Sequence, residues 1–447
     1  MSNSRESGNS NVEPEGLQYS GERVSRLPRY IQPYAALPFS VLILCLGSFI
    51  NRAGSFAMLF LTIYVSRHLN YGVTFATTCF GVFGVGSVIS SVLGGQLADR
   101  FGRKPIMLFA LFGGASCLIL MSSVQSAGGI LTLMFLFALT MEMYRPAASA
   151  MIGDLVNTDQ RPFAFGLMYI AFNLGFAVAA PVGGFLAERS FRWLFLGDAF
   201  TTASYAIMIV VLIRETLPGK ASTAETADGN PIEHHISWSH AIVHILNDKT
   251  FLLFSVAALL TSVVFMQGFS TLPIHLGDQG FSESQIGWLL SSNGILIVVL
   301  QIPLTHLLSF ANRVIVILIG EVLIAIGFGL TSIAYIGPLV LMTIVIWTIG
   351  EVVQAAFKQS MVADLAPVEM RGRYMGVFAL SHAIGMTCGV PFGGWVLENF
   401  GANVLWPGCF LCAILASCLY AVIYRRTVPL SMDDGVTADL SCASDDG

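Results

Sequence analysis

The sequence predicts an all-α membrane protein with twelve transmembrane helices, arranged as two six-helix bundles related by a pseudo-twofold axis. Apolar residues make up 55% of its 447 residues and charged residues only 11%, with a mean hydropathy of +0.74. This composition is typical of chains whose main solvent is lipid. Twelve apolar runs and one long internal repeat support the same fold class.

Each apolar run is long enough to cross the hydrocarbon core, which takes about 20 residues of helix. Backbone facing lipid must satisfy its hydrogen bonds within the segment or in a closed barrel, and unbroken runs do not alternate as barrel strands do. We place the runs at 37–66, 75–98, 105–123, 129–152, 163–187, 193–213, 250–273, 284–308, 314–335, 338–360, 374–397 and 403–424.

The repeat relates residues 151–188 to residues 361–398 at a constant offset of 210, without a gap and with ten identical positions. Each copy ends one apolar run with an aspartate and turns through a short loop that contains an arginine. It then enters a second run with glycines, a proline and a Gly-Gly pair. The repeat predicts two similar halves, in which residues 210 apart occupy equivalent places.

Polar segments divide the chain into domains. The two ends are too poor in apolar residues to order themselves. Within the linker, residues 236–246 form either a short amphipathic helix on the membrane surface or flexible chain. The divisions we expect are a disordered tail at 1–36, a bundle at 37–213, a linker at 214–249, a bundle at 250–426 and a disordered tail at 427–447.

The positive charges predict the orientation. Of the 22 Lys and Arg residues, sixteen fall in the tails and in loops on one side, whereas Arg67, Arg189 and Arg192 fall on the other. In membrane proteins, Lys and Arg residues concentrate in the loops on the cytoplasmic side. The polar beginning of the chain also lacks the features of a cleavable leader. We therefore expect a multi-pass protein of the cell (inner or plasma) membrane with both termini in the cytoplasm.

Charged side chains within the runs are the candidate working groups. Each costs about 2.5–3.5 kcal/mol at the bilayer centre on insertion scales, so it needs a partner or a water-filled cavity. The first run contains Asn51 and Arg52. The fourth contains Glu142 and Arg145, which lie three residues apart on one side of the helix and are close enough to pair. A carboxylate beside an arginine can stay ionised until its surroundings change and then take a proton, so this pair is the predicted coupling centre. The alternative is a static pair that only fixes packing.

The second half contributes its own polar group. Glu321 lies in the ninth run and Glu351 in the tenth. Along its helix Glu351 can reach Gln354, but Lys358 is two turns away. We therefore do not expect a direct pair between Glu351 and Lys358.

Two further titratable residues have two interpretations each. Asp198 lies near the outer interface, where water or Arg192 can satisfy it, so it is either a working group or a structural one. His382 occupies the place of Phe172 in the repeat, and histidine is the side chain whose ordinary pKa lies closest to neutrality. Its alternative role is that of a hydrogen-bonded packing residue.

The loop after the second run reads G-Q-L-A-D-R-F-G-R-K and resembles the loop signature of the major facilitator superfamily, a family of twelve-span secondary transporters. Gly95 is expected to let neighbouring helices approach, and Gly102 to permit a tight turn. The resemblance implies that Asp99 latches the two halves in the outward-facing state, by meeting the backbone dipole near residues 372–374. The second half keeps only Ser309 and Arg313 in the equivalent places. The implied gating residues are Gly95, Asp99, Arg100, Gly102, Arg103 and Lys104.

A second signature lies on the fifth run, where an asparagine, glycines and a proline precede a Gly-Gly pair. It resembles the signature of drug:proton antiporters in the same superfamily, with Ala180 in place of the glycine before the proline. Alanine is small enough to keep close packing against the eighth run. The alternative is that these glycines only kink and pack a helix. With the repeat, the residues concerned are Asn173, Gly175, Pro181, Gly184, Gly385, Pro391 and Gly394.

The resemblance covers about residues 35–425 and is to the bacterial multidrug-resistance group. It implies a secondary active transporter that couples export of lipophilic or amphipathic small molecules to protons. The alternative is a transporter of a sugar, organic anion, peptide or lipid, acting as an importer or uniporter, which Arg52 and Arg145 keep open. An enzyme is not expected, because no catalytic motif is present. The expected partners are a small-molecule substrate, protons and membrane lipid, with no nucleic acid, no cofactor, no metal and a monomeric chain.

Overall fold

The computed structural model describes residues 34, 36–157, 160–216, 238–308, 310–367 and 370–427. Within them, twelve helices are long and apolar enough to cross a membrane, which confirms the predicted count. The predicted tails, apart from a few residues next to the bundles, lie outside the described residues, as do Ser309 and much of the linker. Within the described part of the linker, Trp238–Asn247 form a helix.

Every predicted run agrees with a helix to within five residues at each end. The twelve helices are α1 (Phe39–His68), α2 (Val73–Phe101), α3 (Arg103–Met121), α4 (Ala127–Leu155), α5 (Phe163–Arg189), α6 (Phe191–Leu212), α7 (Lys249–Asp278), α8 (Glu283–Leu308), α9 (Arg313–Ile333), α10 (Gly337–Val362), α11 (Arg373–Phe400) and α12 (Ala402–Arg425).

Helices α1–α6 form one bundle and α7–α12 the other. The bundles meet where α5 packs on α8 and where α2 packs on α11, whereas α3 packs on α6 and α9 on α12 within each bundle. Because the number of crossings is even, α1 begins and α12 ends on the same side of the membrane. We call this the tail side and the opposite one the far side.

Equivalent ion pairs show the pseudo-twofold relation directly. On the tail side of the first bundle, Arg103 Nε lies 3.1 Å from Asp154 Oδ2. In the second bundle Arg313 pairs with Asp364, and both residues are 210 positions further along. The offset found in the sequence therefore corresponds to equivalent places in space, as predicted.

Hydrogen bonds on the far side join the two bundles in equivalent pairs. A carboxylate oxygen of Glu398, at the end of α11, accepts from the backbone N–H of Thr74 at 2.8 Å, and the other oxygen accepts from that of Val73 at 3.2 Å. Glu188, at the end of α5, accepts from the backbone N–H of Ser284 at 3.1 Å. Each glutamate thus caps the first turn of a helix in the opposite bundle.

One ion pair adds to this far-side closure. Arg67 Nη2 of α1 lies 2.6 Å from Asp278 Oδ1 of α7, and the same guanidinium donates to the backbone carbonyl of Ile274 at 3.3 Å. The pair lies at the ends of two helices that belong to different bundles.

The buried cores show the same asymmetry between the two sides. One apolar core is continuous through both bundles in the far-side half, from Phe60 of α1 to Leu276 of α7. On the tail side each bundle has a separate core, around Met107 in the first and Ile317 in the second. The bundles are therefore packed together on the far side and apart on the tail side.

The turn between α2 and α3 matches its predicted role. Gly102 has φ +108°, in the left-handed region that favours glycine. The carboxylate of Glu215 lies beneath it and accepts from the backbone N–H groups of Arg103 and Lys104 at 3.0 and 2.9 Å. Glu215 thus caps the start of α3.

The predicted role of Gly95 is wrong. No atom lies within 4 Å of the place where a Cβ would stand on Gly95. The close approach occurs one residue earlier, where a Cβ on Gly94 would lie 2.9 Å from Met143 Cα of α4. Consecutive residues of a helix are rotated by about a quarter turn, so only Gly94 faces α4.

The glycines of the second signature pack helices as expected. A Cβ on Gly175 would lie 2.7 Å from Arg52 Cβ, and a Cβ on the equivalent Gly385 would overlap Ser262, which is equivalent to Arg52. Gly385 also begins a π-helical segment, Gly385–Gly389, just before Pro391. Such a segment before a proline is a recognised cause of a bend.

The same signature brings α5 against α8. A Cβ on Gly184 would overlap the backbone at Glu283, and a Cβ on Gly287 of α8 would overlap the carbonyl oxygen of Ala180. Alanine in place of glycine at position 180 is therefore compatible with close packing, as predicted. The equivalent Gly394 packs against Thr77 of α2.

Candidate functional site

A cavity of about 1220 Å³ lies between the two bundles. Its lining comes from α2 and α4 of the first bundle and from α7, α9, α10 and α11 of the second. It extends from residues near the middle of the helices, such as Phe83 and Phe265, to residues near their tail-side ends, such as Gln359 and Arg373. The cavity therefore approaches the tail side and is separated from the far side by the continuous core.

Glu142 and Arg145 face this cavity from α4. Arg145 Nη1 lies 4.0 Å from Glu142 Oε2, the outer limit for an ion pair, and the Arg145 side chain is 66% exposed. The predicted pair is thus present but loose. Helical structure is interrupted at Glu142 and Met143, because Pro146 cannot donate a hydrogen bond to the carbonyl of Glu142.

Arg52 lies behind this wall and reaches it through an aromatic ring. Its guanidinium carbon lies 4.1 Å from the centre of the Phe172 ring, and that of Arg145 lies 5.4 Å from the same centre. Two cations therefore share one aromatic ring, whose π system attracts each of them. The result is an electropositive region on the first bundle.

Asn51 and Asp198 belong to a buried chain of hydrogen bonds away from the cavity. Asn51 Nδ2 donates to Thr202 Oγ1 at 2.8 Å, and Thr202 Oγ1 donates to Asp198 Oδ1 at 3.4 Å. Asp198 also accepts from the backbone N–H of Ala57 at 3.3 Å. The expectation that water or Arg192 satisfies Asp198 is wrong, because the residue is 3% exposed and faces α1.

A break in α1 explains why Asp198 is buried there. Regular α-helix ends at Ala53 and resumes at Phe56. The first N–H groups of the resumed helix have no partner within it, so a side-chain acceptor must supply one. Asp198 does so, as a cap supplied by another helix.

Two predicted residues face the cavity from the second bundle. Glu351 accepts from Asn293 Nδ2 of α8 at 2.9 Å, and not from Gln354 as its spacing suggested. His382 Nδ1 lies 3.3 Å from Ser262 Oγ of α7. Ser262 and His382 lie 210 positions after Arg52 and Phe172. Their contact is therefore the counterpart of the contact between Arg52 and the Phe172 ring.

Glu321 and Lys358 form a pair that the sequence analysis did not identify. Lys358 lines the cavity and pairs with Glu321, which lies behind the wall on α9. As expected, Lys358 does not pair with Glu351. Within the sequence the two partners are 37 residues apart on different helices, and no spacing rule connects them.

Asp99 does not form the expected latch in this conformation. Its described ion pair is with Arg103 of its own bundle, at 3.2 Å, and its side chain is 71% exposed. The tail-side ends of the bundles are separated by the cavity, which removes the partner that the resemblance implied.

Comparisons with known proteins agree with this architecture. The sequence model described as "Major Facilitator Superfamily" matches residues 44–282 and 269–437. A Na(+), Li(+), K(+)/H(+) antiporter of Planococcus maritimus is 24% identical over 418 residues, covering 85% of this chain and 95% of that protein. Multidrug resistance protein MdtH of Salmonella typhimurium (strain LT2) is 25% identical over 310 residues, covering 69% and 73%.

A solved structure shares the fold. A POT family transporter in complex with a thioalcohol-conjugated peptide superposes with a TM-score of 0.75 at 18% identity, covering 90% of this chain and 99% of that one. At this identity the likeness concerns the fold alone.

Proposed function

Because the chain belongs to the major facilitator superfamily, we propose that it exports lipophilic or amphipathic cations in exchange for protons. It is a multi-pass membrane transporter, and the exchange occurs by alternating access of the central cavity to the two sides. We also propose that the protein lies in the inner or plasma membrane of the cell, with both termini in the cytoplasm. In this proposal residues 1–36, 214–249 and 427–447 are tails and a linker outside two bundles, and the chain works as a monomer.

The observation that supports this proposal most is the one-sided cavity. It reaches the tail side, whereas the far side is closed by a core shared between the bundles. Under the proposed orientation the cavity is open to the cytoplasm, where an exporter takes up its cargo. Rocking the bundles about the close α5–α8 and α2–α11 contacts would open the opposite side.

The cavity wall supports the choice of cargo. Glu142 and Glu351 supply two carboxylates, and Phe83, Phe265 and Met386 supply apolar surface. Aromatic and methionine side chains repack around different shapes, which suits a site that accepts several lipophilic molecules. A carboxylate that takes a proton as cationic cargo leaves couples their movements in opposite directions.

Glu142 is the proposed coupling carboxylate. It faces the cavity, its pair with Arg145 is loose, and helical structure is interrupted at this residue. We propose that His382, Glu351 and Arg145 contact cargo or protons in the cavity. Asn51, Arg52, Asp198 and Glu321 then act from behind the wall.

One observation favours a second candidate, a transporter of anionic or zwitterionic cargo. Arg52 and Arg145 share the ring of Phe172 and make one region of the first bundle electropositive. The solved relative that binds a conjugated peptide is compatible with this alternative. The choice between the two depends on the charge of the molecule transported.

The test is transport by the purified chain in proteoliposomes with an acidic interior. Tetraphenylphosphonium, a sugar, an organic anion and a dipeptide are added outside in separate experiments. We expect tetraphenylphosphonium to accumulate inside only while the pH gradient lasts, and nigericin to abolish its accumulation. Accumulation of the anion or the dipeptide instead would contradict the proposal and support the second candidate.

A further inference from the structure

A buried ion pair lies directly behind the cavity wall of the second bundle. Lys358 of α10 pairs with Glu321 of α9, and their side chains are 9% and 0% exposed. Among the ion pairs between described residues, this is the only one in which both side chains are almost fully buried. Breaking such a pair is costly, because the remaining charge stays buried without compensation.

The two oxygens of the Glu321 carboxylate have different surroundings. Oε1 accepts hydrogen bonds from Lys358 Nζ and from the hydroxyl of Thr261, which lies 2.7 Å away. Oε2 is buried and has no hydrogen-bond partner among the described residues. A second acceptor atom is therefore available to take a proton while Oε1 keeps its contacts.

The groups around Glu321 make its charge depend on Lys358. From α10 it faces Lys358, from α12 it faces Tyr420 and Cys412, and from α7 it faces Thr261. Lys358 is the only cation in this set. Nζ of Lys358 also lies 5.1 Å from the centre of the Tyr420 ring, which favours a positive charge there.

Lys358 connects this buried carboxyl group to the cavity. Lys358 and Thr261 line the cavity, whereas Glu321 does not. While Glu321 is ionised, the positive charge of Lys358 is neutralised from behind. When Glu321 takes a proton, the same positive charge is uncompensated at the cavity wall, and the charge of the site rises by one.

We propose that Glu321 is a second proton-binding site, and that Lys358 converts its protonation into a positive charge that excludes cationic cargo from the cavity. The inference rests on the proposed function, since it explains how a proton and a lipophilic cation become mutually exclusive. When the cavity is open to the acidic side of the membrane, Glu321 takes a proton from water and the cation leaves. Toward the opposite side the proton returns to water, and the cation can bind again.

Two probes of the same shape and opposite charge test this charge switch. Tetraphenylphosphonium and tetraphenylborate are titrated into the purified full chain, into Glu321→Gln and into Glu321→Gln/Lys358→Gln. Glutamine resembles protonated Glu321 in shape and charge, so the single variant should bind tetraphenylphosphonium about tenfold more weakly. It should bind tetraphenylborate more tightly. Because glutamine does not take up a proton, both affinities should lose the pH dependence that Glu321 causes.

The double variant separates the switch from a structural role. Removing the uncompensated charge should restore tetraphenylphosphonium binding and abolish the gain for tetraphenylborate. A purely structural Glu321 would weaken both probes together, and the double variant would not restore tetraphenylphosphonium binding. That result, or a single variant with unchanged affinities, would overturn the proposal.

Glu283→Gln is the matched control, because Glu283 lies on the far side at the beginning of α8. It should bind both probes as the unaltered chain does. The outcome is independent of the proteoliposome test of the proposed function. If the unaltered chain fails to accumulate tetraphenylphosphonium, the proposed export is wrong, whereas opposite shifts for the two probes still establish the charge switch.

Discussion

The closure of the far side depends on two equivalent carboxylates, and removing them should open it. Glu398 accepts from the backbone at Thr74 and Val73, and Glu188 accepts from the backbone at Ser284. Each bond crosses from one bundle to the other. The variant Glu188→Ala/Glu398→Ala therefore removes contacts that exist only while the far side is closed.

The expected magnitude follows from the loss of two helix caps. Replacing a capping side chain by alanine typically costs about 1 kcal/mol. Two such losses amount to about 2 kcal/mol, which shifts the ratio of closed to open far sides roughly 30-fold toward open. The exposed pair of Arg67 with Asp278 remains and contributes at most about 1 kcal/mol to closure.

The assay is a distance measurement between spin labels on the two bundles. Cysteines at Ser123 and Tyr335, introduced after the native cysteines are replaced, lie in exposed far-side loops between α3 and α4 and between α9 and α10. The double variant should increase the population with long distances. Glu283→Gln removes a nearby carboxylate that makes no hydrogen bond among the described residues, and it should change nothing. An unaltered distance distribution in the double variant would refute the assigned role.

Three further predictions concern the cavity, the helix contacts and the tail-side loop. Glu142→Gln should abolish uphill transport in proteoliposomes while leaving tetraphenylphosphonium binding largely intact, and uphill transport at the original rate would show that Glu142 is not the coupling group. Gly287→Ala should lower the thermal midpoint of the purified protein by overpacking α5 against α8, at a cost of about 1–3 kcal/mol, whereas Gly408→Ala, which meets no atom within 4 Å, should not. Asp99→Asn should leave the form with the cavity open to the tail side intact, because the only described ion pair of Asp99 is exposed and local. It should lower the fraction of molecules open to the far side, as measured with the same spin labels. An unchanged fraction would contradict a latch.

The fold could be predicted from the sequence because lipid restricts the possible structures so strongly. Long apolar runs must be helices, and the offset of 210 in the sequence predicts the equivalence of Arg103 with Arg313 that their ion pairs show. Close packing of α5 on α8 also followed from residue size. Gly95 was misassigned because a loop signature does not specify which of two adjacent glycines faces the neighbouring helix.

The partners of the buried charges could be predicted only in part. Glu142 and Arg145 lie on one helix, where spacing determines contact. Glu321 and Lys358 lie on different helices, and their contact depends on how α9 and α10 are rotated about their axes. Distance along the chain suggests that Asp198 lies near water, whereas a break in α1 supplies its buried donor.

The most direct test of proton-coupled export is the release of protons when cargo binds. Tetraphenylphosphonium is added to the purified full chain in weakly buffered detergent solution, and the pH is followed with an indicator dye. If one cavity holds either protons or cationic cargo, binding acidifies the solution, whereas Glu142→Gln/Glu321→Gln binds more weakly and does not acidify it. Saturable binding by the unaltered chain with no change in pH would contradict the exchange of a cation for protons.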